Sequence, residues 1–271
     1  MTTQPDHYGD DGTVDRVLAL LPTRPSPRAL AALDQFHTRG AVATAELASR
    51  AGLQPGWLVL DVGCGLGGPA RQVADRFGVC VVGCDLSQPF VAVGQEITRR
   101  CGLEDQVRLM VASATALPVN SATMDAVMVQ HVTMNIHDRS TLYAELARVL
   151  RPGGVLVCHD IVQKRGPPIY PVPWARMPEQ SHLLTTAQTL SALAASGFQV
   201  DHARDETAVS LAWFAATAGA PPSDGPTLAT AMGRDFPTLV ANHRRSLESG
   251  ATAVLSVIAR RAVGSVLGGA P

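Results

Sequence analysis

The run Val59-Leu60-Asp61-Val62-Gly63-Cys64-Gly65-Leu66-Gly67-Gly68 constrains this chain more than any other stretch. Its aliphatic and β-branched start suits a parallel strand covered on both faces, and its glycines suit a tight turn that opens a helix and lets backbone approach a ligand. A strand, an acidic strand end and a glycine turn at a helix N-terminus describe a nucleotide-cofactor site. Gly63, Gly65 and Gly68 satisfy the G-x-G-x-x-G spacing, and Asp85 stands about 20 residues on, where a carboxylate would accept ribose hydroxyls. Asp85 also has a capping reading, although Ser87 is better placed as the N-cap of the next helix.

Around that turn the apolar pattern alternates. It predicts strands at 57–62, 79–84, 106–112, 124–130 and 154–161, with helices at 68–77, 88–101 and 138–150. Such alternation means a parallel α/β sheet, doubly wound, with ligands at the carboxyl ends of the strands. Upstream, Leu30, Leu33, Phe36, Val42 and Leu47 recur at helical spacing with a break at Gly40, a helical N-terminal cap over residues 1–52 that follows a polar lead. Downstream, Pro167, Pro168, Pro171, Pro173 and Pro178 rule out a central strand or long helix and predict a stiff loop. A helix at 186–196 and a strand at 198–204 complete a core over 53–204. Helices at 206–217 and 228–249, joined by a Pro/Gly linker at 219–226, form an insertion over 205–250. A last strand at 252–261 and a flexible tail close the chain over 251–271.

The 271 residues, 46% hydrophobic and 17% charged, suffice for one sizeable core with elaborations. A formal net charge of −1 with scattered basic residues gives no field for nucleic acid or an anionic membrane. No apolar run reaches the length of a membrane span and the first residues lack an export signal. Cys64, Cys80, Cys84, Cys101 and Cys158 sit in or beside apolar runs without paired spacing, which reads as reduced thiols of a cytoplasmic protein and no metal site.

Asp61 discriminates between cofactors. Two residues before the first glycine, its carboxylate would oppose a pyrophosphate at the helix N-terminus, and it suits a ligand carrying an ammonium and a sulfonium. Leu60-Asp61-Val62-Gly63-Cys64-Gly65-Leu66-Gly67-Gly68-Pro69-Ala70-Arg71 resembles motif I of class I S-adenosylmethionine-dependent methyltransferases. Gly83-Cys84-Asp85-Leu86-Ser87 is similar to that family's ribose loop, and Ser113-Ala114 with Leu117-Pro118 to its adenine loop. Met124-Asp125-Ala126-Val127 resembles the fourth strand, and Leu146-Ala147-Arg148-Val149-Leu150-Arg151-Pro152-Gly153-Gly154 the turn into the fifth. The resemblance implies a Rossmann-like seven-stranded sheet with a lid insertion, and S-adenosyl-L-methionine as cofactor, released as S-adenosyl-L-homocysteine. Asp61, Gly63, Gly65, Asp85, Leu86, Ser113, Ala114 and Gln130 would hold it. Ser113 departs from the family, which usually has an acid there; a serine oxygen accepts the adenine amino group's hydrogen bond more weakly.

The group most resembled contains sarcosine/dimethylglycine, tocopherol and sterol methyltransferases and tailoring enzymes of secondary metabolism, which implies a small-molecule acceptor methylated on carbon, nitrogen or oxygen. Methyl transfer needs an aligned nucleophile, exclusion of water and, for a protonated acceptor, a base. His131 after the fourth strand is the expected base, because imidazole titrates near working pH; otherwise it shapes the pocket. His37 and Asp160 are candidates for substrate contact, against a helix-surface histidine and a loop cap, and Trp174 for an aromatic wall, against a core residue. His243-Arg244-Arg245 and Arg260-Arg261 are expected on solvated faces, and turned inward would imply an anionic substrate. A non-catalytic cofactor-binding protein and an NAD-dependent oxidoreductase are the competing readings. The sequence carries no signal for an oligomeric state.

Overall fold

The computed structural model describes residues 12–218 and 225–264. Most of the predicted linker at 219–226, nearly all of the tail from Gly264 and the lead before Gly12 lie outside the described residues. Strands β1 (Leu58–Val62), β2 (Cys80–Asp85), β3 (Val107–Val111), β4 (Met124–Gln130), β5 (Leu150–Gln163), β6 (Phe198–Asp205) and β7 (Thr252–Arg261) form one sheet, in the order β3-β2-β1-β4-β5-β7-β6. Pairs from β3 to β5 are parallel, while β7 runs antiparallel to β5 and β6. Strand order reverses between β1 and β4, so the crevice at their carboxyl ends is where such a sheet takes its ligand.

Period-two alternation sends β1 side chains to two cores. Leu60 and Val62 pack with Leu142 and Leu146 of α6 (Arg139–Val149). Val59 packs with Leu47 of α3 (Gly40–Ala51) and Val73 of α4 (Gly68–Phe77). All seven side chains are buried, each contributing roughly 1.5–3 kcal/mol by removal from water.

Boundaries differ from expectation where special backbone intervenes. A helix α1 (Thr13–Leu20) occupies part of the expected polar lead; Val14, Val17, Leu18 and Leu21 pack toward Val93 and Ile97 of α5 (Gln88–Arg100). Strand β5 starts directly on the end of α6, because the Arg151–Gly154 turn keeps pairing through a register shift opposite Met124. The single helix predicted at 228–249 is two, α9 (Leu228–Met232) and α10 (Phe236–Glu248). Gly233 at φ +91° ends the first and Pro237 stands in the first turn of the second, so the chain turns a corner between them. These helices and α8 (Thr207–Thr217) are inserted between β6 and β7, and α7 (Thr186–Ala195) precedes β6 behind a Thr185–Gln188 capping box.

Two ion-pair clusters attach the N-terminal segment. Asp34, ending the short helix α2 (Ala31–Asp34), meets the fully buried Arg71 of α4 at 2.8 Å, and Arg71 also donates to Leu66 O, Gly94 O and Thr98 Oγ1. Glu206 accepts from Arg39 at 3.0 Å, from Arg50 at 2.9 Å and from Ser256 at 2.9 Å, joining α3 to the first turn of the insertion.

Candidate active site

The carboxyl ends of β1, β2 and β4 open onto a cavity. Gly63, Gly65, Asp85, Leu86, Ser113, Ala114 and Gln130 line it from the strand ends and the turns after them. His131 and Met134 after β4, Trp174 in the proline-rich loop, Met232 and Phe236 in the insertion and Phe36 in the N-terminal segment complete the lining. Asp61, His37 and Asp160 are not on its wall.

The turn forms because Gly63 takes φ +72° and Gly65 φ +53°, and because any side chain at Gly63 would collide with Val132. The last glycine of the fingerprint has another purpose: a side chain at Gly68 would run into the carbonyl and carboxylate of Asp34, so this glycine makes room for the N-terminal segment. Asp85 closes the turn from the second strand. Its Oδ2 accepts Gly65 N–H at 2.9 Å and its Oδ1 accepts Ser87 N–H at 2.8 Å, and burial raises its pKa. Ser87 accepts Phe90 N–H, so the cap of α5 is the serine and Asp85 faces the cavity.

Two buried polar atoms beside the turn have no protein partner: Oδ2 of Asp61 and Nε2 of Gln130. Burial, reinforced by Asp85, pushes the Asp61 carboxyl up to about 7. An acceptor and a donor left unsatisfied at one strand-end site fit an amino-acid moiety, ammonium to Asp61 and carboxylate to Gln130. Ser113 is partly committed, its Oγ 2.9 Å from Thr115 Oγ1 and accepting Thr115 N–H at 3.3 Å.

The lining is backed by histidines. His131 adopts φ +56°, a left-handed conformation costly for a residue with a Cβ, and its amide donates to His159 O at 2.7 Å. Its ring stacks on His159 at 5.3 Å and meets His37 and His243 edge-on at 6.1 and 6.3 Å. Thr38 N–H approaches His131 Nε2 at 3.4 Å, and Thr38 Oγ1 lies 3.0 Å from His243 Nε2. Burial, then the neighbouring His159, His37 and His243, holds His131 well below the ordinary imidazole range. Where the sequence suggested a histidine titrating near working pH, burial favours the neutral ring over the imidazolium.

His37 is not on a helix surface. It is buried in the turn before α3, its Nε2 2.9 Å from Gly40 O and 3.0 Å from Thr44 Oγ1, and burial lowers its pKa to about 4. Asp160, a candidate for substrate contact, has both oxygens occupied: Oδ2 accepts Thr133 N–H at 2.7 Å and Oδ1 accepts Ile161 N–H at 2.9 Å. It fixes the turn that follows His131. Trp174 is core and wall at once, 2% exposed, lining the cavity and donating to Ser181 Oγ at 2.9 Å.

The triplet His243-Arg244-Arg245 divides. His243 turns inward, its pKa lowered to about 4 by burial, while Arg244 pairs with Glu248 and Arg245 is exposed. Arg260 pairs with Asp201, and Arg261 donates to Leu150 O. Sequence reading missed His159, whose two ring nitrogens are buried without a partner, and also missed Phe36, Met232 and Phe236 as cavity residues. Among the described residues no group of His, Cys, Asp or Glu is placed to hold a metal ion, and no helix is long and apolar enough to cross a membrane.

A switch-point cavity beneath a glycine turn, in a sheet whose last strand runs antiparallel, is the arrangement of Rossmann-like methyltransferases. Residues 60–158 match the family described as methyltransferase domain. Sterol 24-C-methyltransferase of Eremothecium gossypii is 40% identical over 116 residues, 43% of this chain and 31% of that protein. Methyltransferase GfsG of Streptomyces halstedii is 37% identical over 130 residues, 48% of this chain and 47% of that protein. The chain therefore matches less than half the length of either relative. The fold also matches geranyl diphosphate C-methyltransferase of Streptomyces coelicolor A3(2), solved with Mg2+, geranyl diphosphate and S-adenosyl-L-homocysteine: TM-score 0.67, 22% identity, 82% of this chain and 79% of that one. The [4+2]-cyclase SpnF shares it at TM-score 0.61 and 25% identity, over 83% and 82%.

Proposed function

We propose that this protein transfers the methyl group of S-adenosylmethionine to a small-molecule acceptor, as in the tailoring reactions of secondary metabolism, within the cytoplasm. The observation that carries this is one cavity lined both by Asp85 and Gln130, whose Nε2 has no partner, and by His131, which burial keeps neutral.

Asp85 would accept the ribose hydroxyls, Gln130 Nε2 would donate to the carboxylate, Asp61 would compensate the ammonium, and Ser113 would accept from the adenine amino group. Leu86, 40% exposed beside Asp85, and Ala114 offer apolar contact to the base. When bound, S-adenosylmethionine supplies an electrophilic methyl carbon on a sulfonium. His131 lines the cavity and holds its lone pair on Nε2, the nitrogen approached by Thr38 N–H; an acceptor O–H or N–H that reached it would replace that long contact and pass its proton to Nε2. A positive charge is disfavoured in this buried setting among His37, His159 and His243, so the imidazolium would return its proton readily. The N-terminal segment, through Phe36, and the insertion, through Met232 and Phe236, would act as the lid that excludes water.

General-base catalysis contributes about 10²–10⁴-fold. His131→Ala should therefore lower turnover at saturating substrates by that order while S-adenosylhomocysteine affinity, read by calorimetry, stays within about threefold; unchanged turnover would remove His131 from the chemistry. Calorimetric binding of NAD without S-adenosylhomocysteine would overturn the whole reading. One observation favours a second reading, cofactor binding without methyl transfer: the fold is shared with a protein named as a [4+2]-cyclase. Acceptor-dependent release of S-adenosylhomocysteine separates the two.

A further inference from the structure

We infer that the acceptor compartment takes an uncharged, largely hydrocarbon molecule bearing one hydrogen-bonding group, and turns away phosphorylated acceptors; this rests on the methyltransferase reading above. Phe36, Met134, Ile136, Trp174, Met232 and Phe236 give the cavity an apolar lining, with His131 and Asn135 as polar points among them. Among the described residues, none that lines the cavity is Lys or Arg.

Arginines on the segments that contribute to it are engaged elsewhere. Arg39 and Arg50 are held on Glu206 and Glu46. Arg139 donates to Ile136 O at 2.9 Å and His182 O at 2.7 Å, and Arg176 pairs with Asp235 at 2.9 Å. Arg234 lies between Met232 and Phe236 in sequence but points to solvent, while those two neighbours line the cavity. The one basic triplet that turns a side chain inward contributes His243, which burial keeps neutral, and His131 is neutral as well.

A phosphate placed here would give up its hydration with no guanidinium, ammonium or imidazolium to replace it. Burying an unpaired charge is among the costliest changes in a protein interior, far beyond what a few aromatic contacts return. This separates the chain from fold neighbours solved with geranyl diphosphate and Mg2+ or with phosphomonomethylethanolamine. An alcohol or an enol on an apolar skeleton meets neither problem: its body replaces water against Trp174 and Phe236, and its single polar group reaches His131.

Three probes sharing a ten-carbon tail test this on the full chain loaded with S-adenosylhomocysteine: decanol, decyl phosphate and decyltrimethylammonium, each titrated by calorimetry. Decanol should bind saturably at one site, with decyl phosphate at least tenfold weaker and the ammonium no tighter than decanol. Phe236→Arg, on a partly exposed residue at the start of α10, should raise decyl phosphate affinity at least tenfold and weaken decanol. Decyl phosphate binding as tightly as decanol, a tighter ammonium, or no saturable decanol binding overturns the inference; if Phe236→Arg fails to fold, the wild-type ranking alone decides it. Failure of the protein to bind S-adenosylhomocysteine overturns the methyltransferase reading instead.

Discussion

The two walls of the cavity are built in opposite ways. The cofactor wall comes from consecutive strand ends, and each polar group there either closes the turn, as Asp85 does on Gly65, or waits for a ligand atom, as Gln130 Nε2 does. The acceptor wall is collected from the N-terminal segment, the turns after β4 and β5, the proline-rich loop and the insertion, and its interior is filled by His37, His131, His159 and His243. One wall is local and carries charge; the other is long-range and neutral. Cofactor recognition should therefore survive damage to the cap and insertion better than acceptor recognition does.

The sharpest way to break that contrast is to loosen the cap at its buried ion pair, although Arg71 also braces the glycine turn through Leu66 O. Arg71→Met leaves the buried Asp34 carboxyl, already raised to about 6 by burial against the pull of Arg71, without its guanidinium. Removing one partner of a buried pair costs about 3–5 kcal/mol. Urea unfolding should show that loss, and Asp34→Leu combined with Arg71→Met should recover part of it; a loss below about 1 kcal/mol would mean the cap is held by its apolar contacts alone.

The neutral wall makes its own prediction in pH. Burial lowers His243 to about 4, so between about 6.5 and 4 the unfolded chain takes up a proton that the folded one refuses. Its contribution to stability is complete above the unfolded value and is lost as pH falls toward the folded one. Asp34 and Asp61 work the other way, since raised carboxyls favour the folded state at lower pH. The net slope of the wild type therefore mixes both signs, and the histidine part is isolated by difference. His243→Phe should gain up to about 3 kcal/mol on the wild type between pH 6.5 and 4. Parallel pH profiles for the two proteins would show that His243 is hydrated in the folded state.

The same division decides what was legible in the sequence. The cofactor wall was readable because its determinants lie within a few residues of strand ends that hydrophobic alternation marks, and Ser87 identified itself as the cap by its position before Gln88-Pro89. The acceptor wall was not, because nothing local tells a histidine which way it faces. His243 sits in a basic triplet that reads as solvated, yet three residues before Ser246 and four before Leu247, both buried, it falls on the inner stripe of α10. Helical phase was the available signal. His159 offered none beyond standing one residue before Asp160 at a strand end, since His37 and His131 come against it from elsewhere in the chain. The break between α9 and α10 that brings Met232 and Phe236 to the cavity was not read, although Gly233 and Pro237 carried the local signal for it.

Smaller effects test the cofactor wall. Asp85→Ala should weaken S-adenosylhomocysteine binding by about 1–3 kcal/mol, the range for hydrogen bonds lost to a charged acceptor, with little change in the affinity of an acceptor probe. An equal loss for both would mean the carboxylate organises the Gly65 turn for the entire cavity and not only for the ribose.

Ser113 gives the smallest and most specific change. Its hydroxyl is shared with Thr115, so it offers the adenine amino group a weak acceptor where a carboxylate would offer a strong one. Ser113→Asp should improve S-adenosylhomocysteine affinity by about 1 kcal/mol, roughly fivefold. The gain should vanish for the inosyl analogue, whose ring carries an oxo group in place of the amino group and would confront the new carboxylate with another acceptor. If both ligands gained equally, the carboxylate would be acting through its charge on the bound ammonium or through the loop's conformation. If neither changed, the adenine amino group would lie beyond reach of residue 113, and base recognition would rest on the apolar contacts of Leu86 and Ala114.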